Sequence, residues 1–592
     1  MNHLGNPHTF HIPVMGIGYS IDTAVRVAPY GISSVISLVD DILIEKMREF
    51  YSRQLHLTFE PISRRIKDYR ALRITSYLNL VDRIVRDKFE ILKKSVLEKK
   101  GEFQEYIEML PDFSTIKREF NILMAGKPSA SRVLQWAKNR LKPGSIDVNI
   151  MTKLDKQNYF QGEILSQEYN DAHAALRGFA ESNLESSVVL SAGMNPRLYA
   201  YLENFDDFYP DQSGYIRKKI ILKVSDYRSA IIQGKFLAKK GLWVSEYRVE
   251  SGLNCGGHAF ATDGSLLGPI LEAFKNSKKE LAKEVYSLWS SALLAKNRAI
   301  PVVSPEIRIT AQGGVGTAEE QEFLMNYYNL DSVGWGSPFL LVPEAVAMDE
   351  ETREQLCNTT EEDLYLSGIS PLGVPFYSMK GNTKDVEKEE RIHLGEPGSP
   401  CPKRYACLDT EFTEKPICTA SREYQALKIR QLDTMNLDPA EYRLRYDQIV
   451  EKSCICMGLG TTSLLVNDLN HKVEGSGVSV CPGPNLAYFS RKVSLKEMVG
   501  HIYGRNNIIQ RTDRPHMFIK ELSIYIDYLR NRLLPKINPD NPKENKAFES
   551  FRDNILDGIR YYKELFSGKL TKLQGKAEDH LKELEIRESE LG

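Results

Sequence analysis

Arg308-Ile309-Thr310-Ala311-Gln312-Gly313-Gly314-Val315-Gly316-Thr317, followed by Ala318-Glu319-Glu320 and then by Asp331-Ser332-Val333-Gly334-Trp335-Gly336-Ser337-Pro338-Phe339, is the stretch that decides the fold. It reads as strand, glycine loop, helix, strand, glycine loop. Each strand run is short and apolar, and glycines end it. Two strands joined through a helix run parallel, because the chain must return to the same edge before the second begins. Gly314 and Gly336 stand 22 positions apart, so both clusters fall at one end of the sheet. Glycine there lets backbone N–H groups approach an anion without a Cβ in the way, and the helix starting near Ala318 adds the positive end of its dipole.

Six further runs precede this unit: His11 to Met15, Ser34 to Val39, Ile146 to Ile150, Ser187 to Ser191, Lys219 to Val224 and Gly241 to Val244. Near-continuous apolar runs separated by helical sequence imply parallel strands buried on both faces. Eight of them predict an α/β fold, a (β/α)8 TIM barrel built from residues 1–40 and 145–350, a class in which the loops after strands seven and eight commonly hold phosphate. Residues 41–144, between the second and third strands, read as a helical insertion. Tyr77 to Lys100, for example, carries Leu78, Val81, Ile84, Val85, Phe89 and Leu92 at helical spacing. A packed helical excursion, a lid and an oligomerisation arm all suit this pattern, so a homo-oligomer stays open. Residues 351–400, charged and rich in glycine and proline, read as a linker or loop region. Residues 401–592 form a mixed, mainly helical C-terminal extension, helical from His516 onward.

At 592 residues the chain exceeds one hydrophobic core. Lys and Arg number 78 against 79 Asp and Glu, a balance that gives no electrostatic reason for a nucleic-acid or membrane partner. No run reaches the roughly 18 apolar residues of a bilayer span, and Met1 to Phe10 lacks the pattern of a signal peptide. The expectation is a cytoplasmic enzyme with a small-molecule substrate.

Other residues point to the same end of the barrel. Pro13-Val14-Met15-Gly16-Ile17-Gly18 places glycines at the top of strand one, where backbone can lie against a flat ring, and Asn149 ends strand three. After strand six comes Glu250-Ser251-Gly252-Leu253-Asn254-Cys255-Gly256-Gly257-His258. A histidine beside two glycines at a strand end is placed for proton transfer, since imidazole titrates near neutral pH.

The opening Pro-Val-Met-Gly-Ile-Gly, Val148-Asn149-Ile150, Gly256-Gly257-His258, Gly313-Gly314-Val315-Gly316 and Gly336-Ser337-Pro338-Phe339 together resemble the nitronate monooxygenase (2-nitropropane dioxygenase-like) family, which includes FMN-dependent enoyl reductases. The resemblance covers roughly residues 10–40 and 145–345. It implies an FMN-binding barrel in which Met15 and Gly16 lie along the flavin and Asn149 contacts its ring or ribityl chain. It also implies that Gly314, Gly316, Gly336 and Ser337 bind the phosphate, with Gly257 beside the cofactor and His258 as the base or polarising group. Lys223, at the end of strand five, is a further polar candidate facing the flavin. The family's glutamate-alanine before Gly-Gly-His is replaced by Leu253-Asn254-Cys255, and neither the insertion nor the extension belongs to the family pattern.

Cysteines are unevenly spread. Only Cys255 and Cys357 precede residue 400, whereas Cys401, Cys407, Cys418, Cys454, Cys456 and Cys481 follow it closely. Four of Cys401, Cys418, Cys454, Cys456 and Cys481 are candidates to surround zinc or an iron–sulfur cluster. Buried unligated thiols and a redox dithiol at Cys454 and Cys456 are the alternatives.

The function expected is an FMN-dependent oxidoreductase of the monooxygenase or enoyl-reductase type. Hydride would pass between flavin N5 and an organic substrate, His258 would handle the proton, and NAD(P)H or O2 would be the redox partner. A non-redox or metal-dependent barrel enzyme that binds a phosphorylated substrate is the alternative, and an assembly component a third.

Overall fold

A parallel sheet whose strands are buried on both faces leaves no unpaired edge only if it closes on itself. The computed structural model describes residues 6–97, 101–254, 263–534, 541–569 and 577–591. Its eight-stranded sheet closes in this way. The strands are β1 (Phe10–Ile12), β2 (Ser33–Ser37), β3 (Ile146–Ile150), β4 (Ser187–Leu190), β5 (Lys219–Val224), β6 (Val244–Glu250), β7 (Arg308–Gln312) and β8 (Ser332–Gly334). Each pairs in parallel with the next, and β8 closes on β1 through Phe10 opposite Val333 and His11 opposite Gly334. The (β/α)8 barrel is therefore observed, with a helical insertion after β2 and a mainly helical extension after β8.

One strand lies elsewhere than its sequence suggests. β6 begins where the expected run Gly241 to Val244 ends. Its alternation of Glu246, Arg248 and Glu250 looks solvated, yet all three are buried. Arg248 pairs with Glu246 at 2.7 Å and the Thr310 hydroxyl donates to Glu246 at 2.7 Å, which satisfies charges inside the barrel. The other face of β6 carries Tyr247 and Val249; Tyr247 meets Phe274 of the long helix Leu267–Ala295.

Among the described residues the insertion contains the α-helices Asp41–Gln54, Tyr69–Lys94, Glu102–Met109, Thr115–Ala125 and Ala130–Arg140. The second packs along the barrel helix Asp171–Ala180, where Gly178 gives Ile74 room that a Cβ would fill at 2.8 Å. Farther out, Phe89, Tyr106, Phe120 and Val133 belong to a satellite core of their own.

Residues 351–400 do not form a linker. They carry most of the helix Glu350–Asn358, the antiparallel hairpin Leu364–Ser367 with Phe376–Met379, and the helix Thr383–His393. The glycines that suggested a loop punctuate these elements. Gly381 takes φ +74° just before Asn382 caps the last helix by accepting from the Asp385 N–H.

The extension is fastened to the barrel by buried charge. Asp40, just after β2, caps the helix Asp41–Gln54, accepts from Lys403 Nζ at 2.6 Å and from the Tyr405 hydroxyl at 2.9 Å. Lys403 also reaches Glu474 at 3.3 Å, while Asp41 is held by Arg70 at 2.6 Å and Arg73 at 2.9 Å. Lys403 and Asp40 are 2% and 1% exposed at the side chain, so neither charge has water to fall back on. Glu474 keeps Lys46 at 2.8 Å, but Lys403→Met is expected to leave the buried Asp40 carboxylate without its cation and to destabilise the chain by about 3–5 kcal/mol. Urea unfolding monitored by circular dichroism measures this; a loss under about 1 kcal/mol, the value of an exposed pair, would contradict it.

Candidate active site at the barrel mouth

Alternation along the strands brings the last inward positions of β2, β3, β5, β6 and β7 to one level. They are Ser37, Asn149, Lys223, Glu250 and Gln312, and the register sets Ser37 opposite Asn149 and Glu250 opposite Gln312. Below them Val35, Val189 and Ile221 pack with Val14 as a small apolar plug. Beneath this polar floor the barrel interior thus combines the small apolar cluster with the buried Glu246–Arg248 pair and Thr310.

Glu250 organises that floor. Its Oε1 accepts from Lys223 Nζ at 2.9 Å, Gln312 Nε2 at 2.7 Å and Asn254 Nδ2 at 2.9 Å. Its Oε2 and the Oδ1 of Asn149 are buried with no hydrogen-bond partner among the described residues. Leaving a buried polar atom unpaired costs about 1–3 kcal/mol, which marks this floor as a surface for a polar ligand. Above it opens a cleft that is in part open to solvent. Gly16 and Ile17 of the β1 loop wall one part, and Leu372, Phe376 and Leu459 of the extension contribute apolar lining. A planar ring with a polar edge suits such a space. A larger cleft opens where Asp147, Ser187, Lys219 and Arg308 lie, at the N-terminal ends of their strands. Barrels of this class carry their chemistry at the C-terminal face, so the mouth is the candidate site.

The residues singled out from sequence distribute as follows. Gly16, Asn149 and Lys223 all line the cleft. Met15 is fully buried in the main core, its N–H donating to Ser20 Oγ at 2.8 Å. Gly257 and His258 lie outside the described residues. The glycine loops do stand together after β7 and β8, but the extension roofs them. Arg514 donates to the Gly314 carbonyl at 3.0 Å, Asn485 to the Val315 carbonyl at 2.9 Å, and the Gly483 N–H to Ser337 Oγ at 2.9 Å. The Gly316 N–H is already taken by Glu320 Oε2 at 2.9 Å. Glu320 stands at the third position of a helix capped by Thr317 and reaches back to the loop, much as in a capping box. Burial works to raise its pKa, and the Arg514 and His516 charges outweigh that and hold it low.

Glu250 reads from sequence as a loop residue because the apolar run Gly241 to Val244 ends before β6 does, and Gln312 reads as part of the glycine loop although it is the last residue of β7. Glu521 left no sequence signal at all. From the helix Met517–Tyr528 it accepts from Ser251 Oγ at 2.9 Å, the Gly252 N–H at 3.4 Å and the Leu267 N–H at 2.9 Å. One buried carboxylate therefore holds both ends of the segment that contains His258.

Among the cysteines, Cys401, Cys418 and Cys454 come together, joined by Cys407, which the sequence reading had not included among the ligands. Cys456 lies beside them and lines the cleft, whereas Cys481 neighbours Tyr19 and Tyr377 instead. Among the described residues no group of three or more His, Cys, Asp or Glu side chains is arranged, as it stands, to hold a metal ion. No single described helix is long and apolar enough to cross a membrane.

No family model matches the chain, and no curated protein does. Among solved structures, it is similar to the enoyl reductase domain of MlnA from the macrolactin biosynthesis cluster of Bacillus amyloliquefaciens, at 16% identity over 63% of this chain and 84% of that one, with a TM-score of 0.33. FabK from Thermotoga maritima shows 11% identity over 84% and 93% of the two chains, TM-score 0.34. Nitroalkane oxidase from Streptomyces ansochromogenes shows 9% identity over 84% and 96%, TM-score 0.34. Similarity at this level carries no function across; the closed barrel stands on its own strand pairing.

The charges beneath the floor have a consequence for stability. Burial pushes the Glu246 carboxyl up, but Arg248 and Arg308 outweigh it and hold the group at about 2, below its ordinary 4.5. A depressed carboxylate contributes stability that is present above its unfolded pKa and lost as the pH falls through the folded one. The protein should therefore lose stability from about pH 4.5 toward 2. Glu246→Gln should be less stable at neutral pH and show a shallower acid limb in thermal melts across that range. An unchanged acid limb would assign the loss to other carboxylates.

Proposed function

We propose that the barrel mouth binds FMN and that the chain is a flavin-dependent oxidoreductase acting on a small organic substrate. The observation that carries this reading is the floor of the cleft, where a buried amide oxygen of Asn149 and a buried carboxylate oxygen of Glu250 await partners beside the Lys223 ammonium. An acceptor and a cationic donor side by side suit the alternating N–H and carbonyl edge of a flavin. The resemblance noted in the sequence agrees with it.

A bound flavin supplies hydride exchange at N5; the protein supplies the rest. Lys223, fixed by Glu250 at 2.9 Å, would offer its positive charge to the polar edge of the ring. Gly16 lines the cleft with backbone alone, and glycine is required there because a Cβ would meet the buried Tyr19 ring at 2.6 Å. The hairpin residues Leu372 and Phe376 keep water from the cleft and so strengthen its electrostatics. Gly314, Gly336 and Ser337 would hold the phosphate only once the extension contacts that roof them open, and Gly316 would join them only if the Glu320 carboxylate swings away from its N–H. His258, in the segment anchored by Glu521, would give or take the proton that accompanies hydride transfer.

Purified protein should be yellow, release FMN on denaturation, and bleach anaerobically with a reductant. Lys223→Met and Asn149→Leu are expected to lower flavin occupancy at unchanged circular dichroism. His258→Ala should retain flavin and lose turnover by about 10²–10⁴-fold. Anaerobic NAD(P)H consumption with an enoyl substrate would place the chain among reductases, and an O2 requirement among monooxygenases. Colourless protein that FMN cannot reconstitute would falsify the reading.

A further inference from the structure

We propose that Cys401, Cys407, Cys418 and Cys454 form a four-thiolate metal centre beside the barrel mouth, taking either zinc or a preassembled iron–sulfur cluster. The proposal does not rest on the flavin reading.

Backbone geometry assembles the four. Asp409 and Ile417 exchange both backbone hydrogen bonds, 3.0 and 2.8 Å, closing a loop that returns Cys418 to Cys407. Ser399 and Ser421 form a second, parallel bridge, which sets the Cys401 turn beside Cys418. Within that turn the Cys401 N–H donates to Ser399 Oγ at 3.3 Å, and the same hydroxyl is bonded to the thiol of Cys454. Cys454 itself is the N-cap of the helix Ile455–Val466. The result is a thiol at Cys401 hydrogen-bonded with those of Cys407, Cys418 and Cys454.

The surroundings fit a metal better than an apolar contact among thiols. Seven described cysteines are all free, so these four are not disulfide-paired. Buried lone cysteines act as small apolar groups, and nothing in that role requires four to meet. Arg404 and Lys156 lie near Cys407 and Lys384 near Cys454. Cations so placed offset the net negative charge that four thiolates leave around a divalent ion or a cluster. The Arg404 guanidinium and the Met457 N–H are also hydrogen-bonded to Cys407 and Cys454, and donors to sulfur are the usual outer partners of thiolate centres.

Among the described residues no group of three or more His, Cys, Asp or Glu side chains is already arranged around an ion, so loading requires the four thiols to turn toward a common centre. Loading exchanges each S–H proton, released to solvent, for a sulfur–metal bond, with no change of oxidation state for zinc or for a cluster transferred intact. The segment cannot drift from the barrel, because Lys403 and Tyr405, between Cys401 and Cys407, are those bound to Asp40. Ala406 and Ile455, each next to one of the four, line the cleft. An iron–sulfur cluster held here would lie behind residues that line the cleft; zinc would brace the same wall.

The test is elemental analysis of full-length protein purified without oxygen, together with sulfide assay and visible absorbance after flavin is subtracted. The proposal expects stoichiometric iron and sulfide with absorbance that dithionite bleaches, or stoichiometric zinc without it. Cys407→Ser and Cys418→Ser should lose the metal, whereas Cys357→Ser and Cys481→Ser should keep it. Metal content is read per folded chain by native mass spectrometry, so misfolded variants do not count. Wild-type protein that stays metal-free after anaerobic reconstitution with iron and sulfide or with zinc overturns the proposal. So does a Cys481→Ser variant that loses metal as completely as Cys407→Ser.

Discussion

The hydrogen-bonded ion pair of Lys403 with Asp40 is the contact on which the arrangement of the whole chain depends. Asp40 ends the β2 segment of the barrel, caps the first helix of the insertion and receives the extension's lysine and tyrosine. A carboxylate buried to that degree can stay ionised only if all its oxygen lone pairs are met. Barrel, insertion and extension are therefore parts of one electrostatic solution, and removing any one of them leaves charge stranded in the other two. The same logic recurs after β7, where Glu320 in the first turn of the following helix is met by Arg514 and the Met517 N–H of the extension.

Sequence reveals what periodicity and backbone freedom control. The strand runs at β2, β3, β4, β5 and β7 are apolar enough to be read directly, and the glycines of 313–316 and 334–336 mark strand ends because few other residues tolerate those turns. The insertion is legible for the same reason, through its helical spacing. What sequence hides is compensation between distant charges. β6 reads as surface because Glu246 and Arg248 are charged, and only the fold reveals that they neutralise each other inside the barrel. Its misplacement then conceals Glu250, the centre of the polar floor. Residues 351–400 mislead differently, since their glycines and asparagine are caps and turns of short elements rather than signs of loose chain.

The candidate site shows the same division. Asn149, Lys223 and Gly16 were visible as polar or permissive residues at strand ends, and all three line the cleft. Cys401, Cys418 and Cys454 were visible by clustering alone, but choosing Cys407 over Cys481 as their companion required knowing that two short backbone bridges fold residues 399–421 back on themselves. Glu521 was invisible because a glutamate on an amphipathic helix looks solvated until its partners, Ser251, Gly252 and Leu267, are known.

That carboxylate has a consequence for how the protein can vary. By gripping the chain just after β6 and again at the start of the helix Leu267–Ala295, Glu521 fixes the two ends of the intervening segment independently of its content. Once the ends are fixed, lengthening a loop is cheap, about 0.6 kcal/mol for each doubling. Change of length beyond Asn254, which itself bonds Glu250 in the polar floor, therefore costs the barrel little. The chain between the two anchors can thus diversify on a scaffold that does not feel the change.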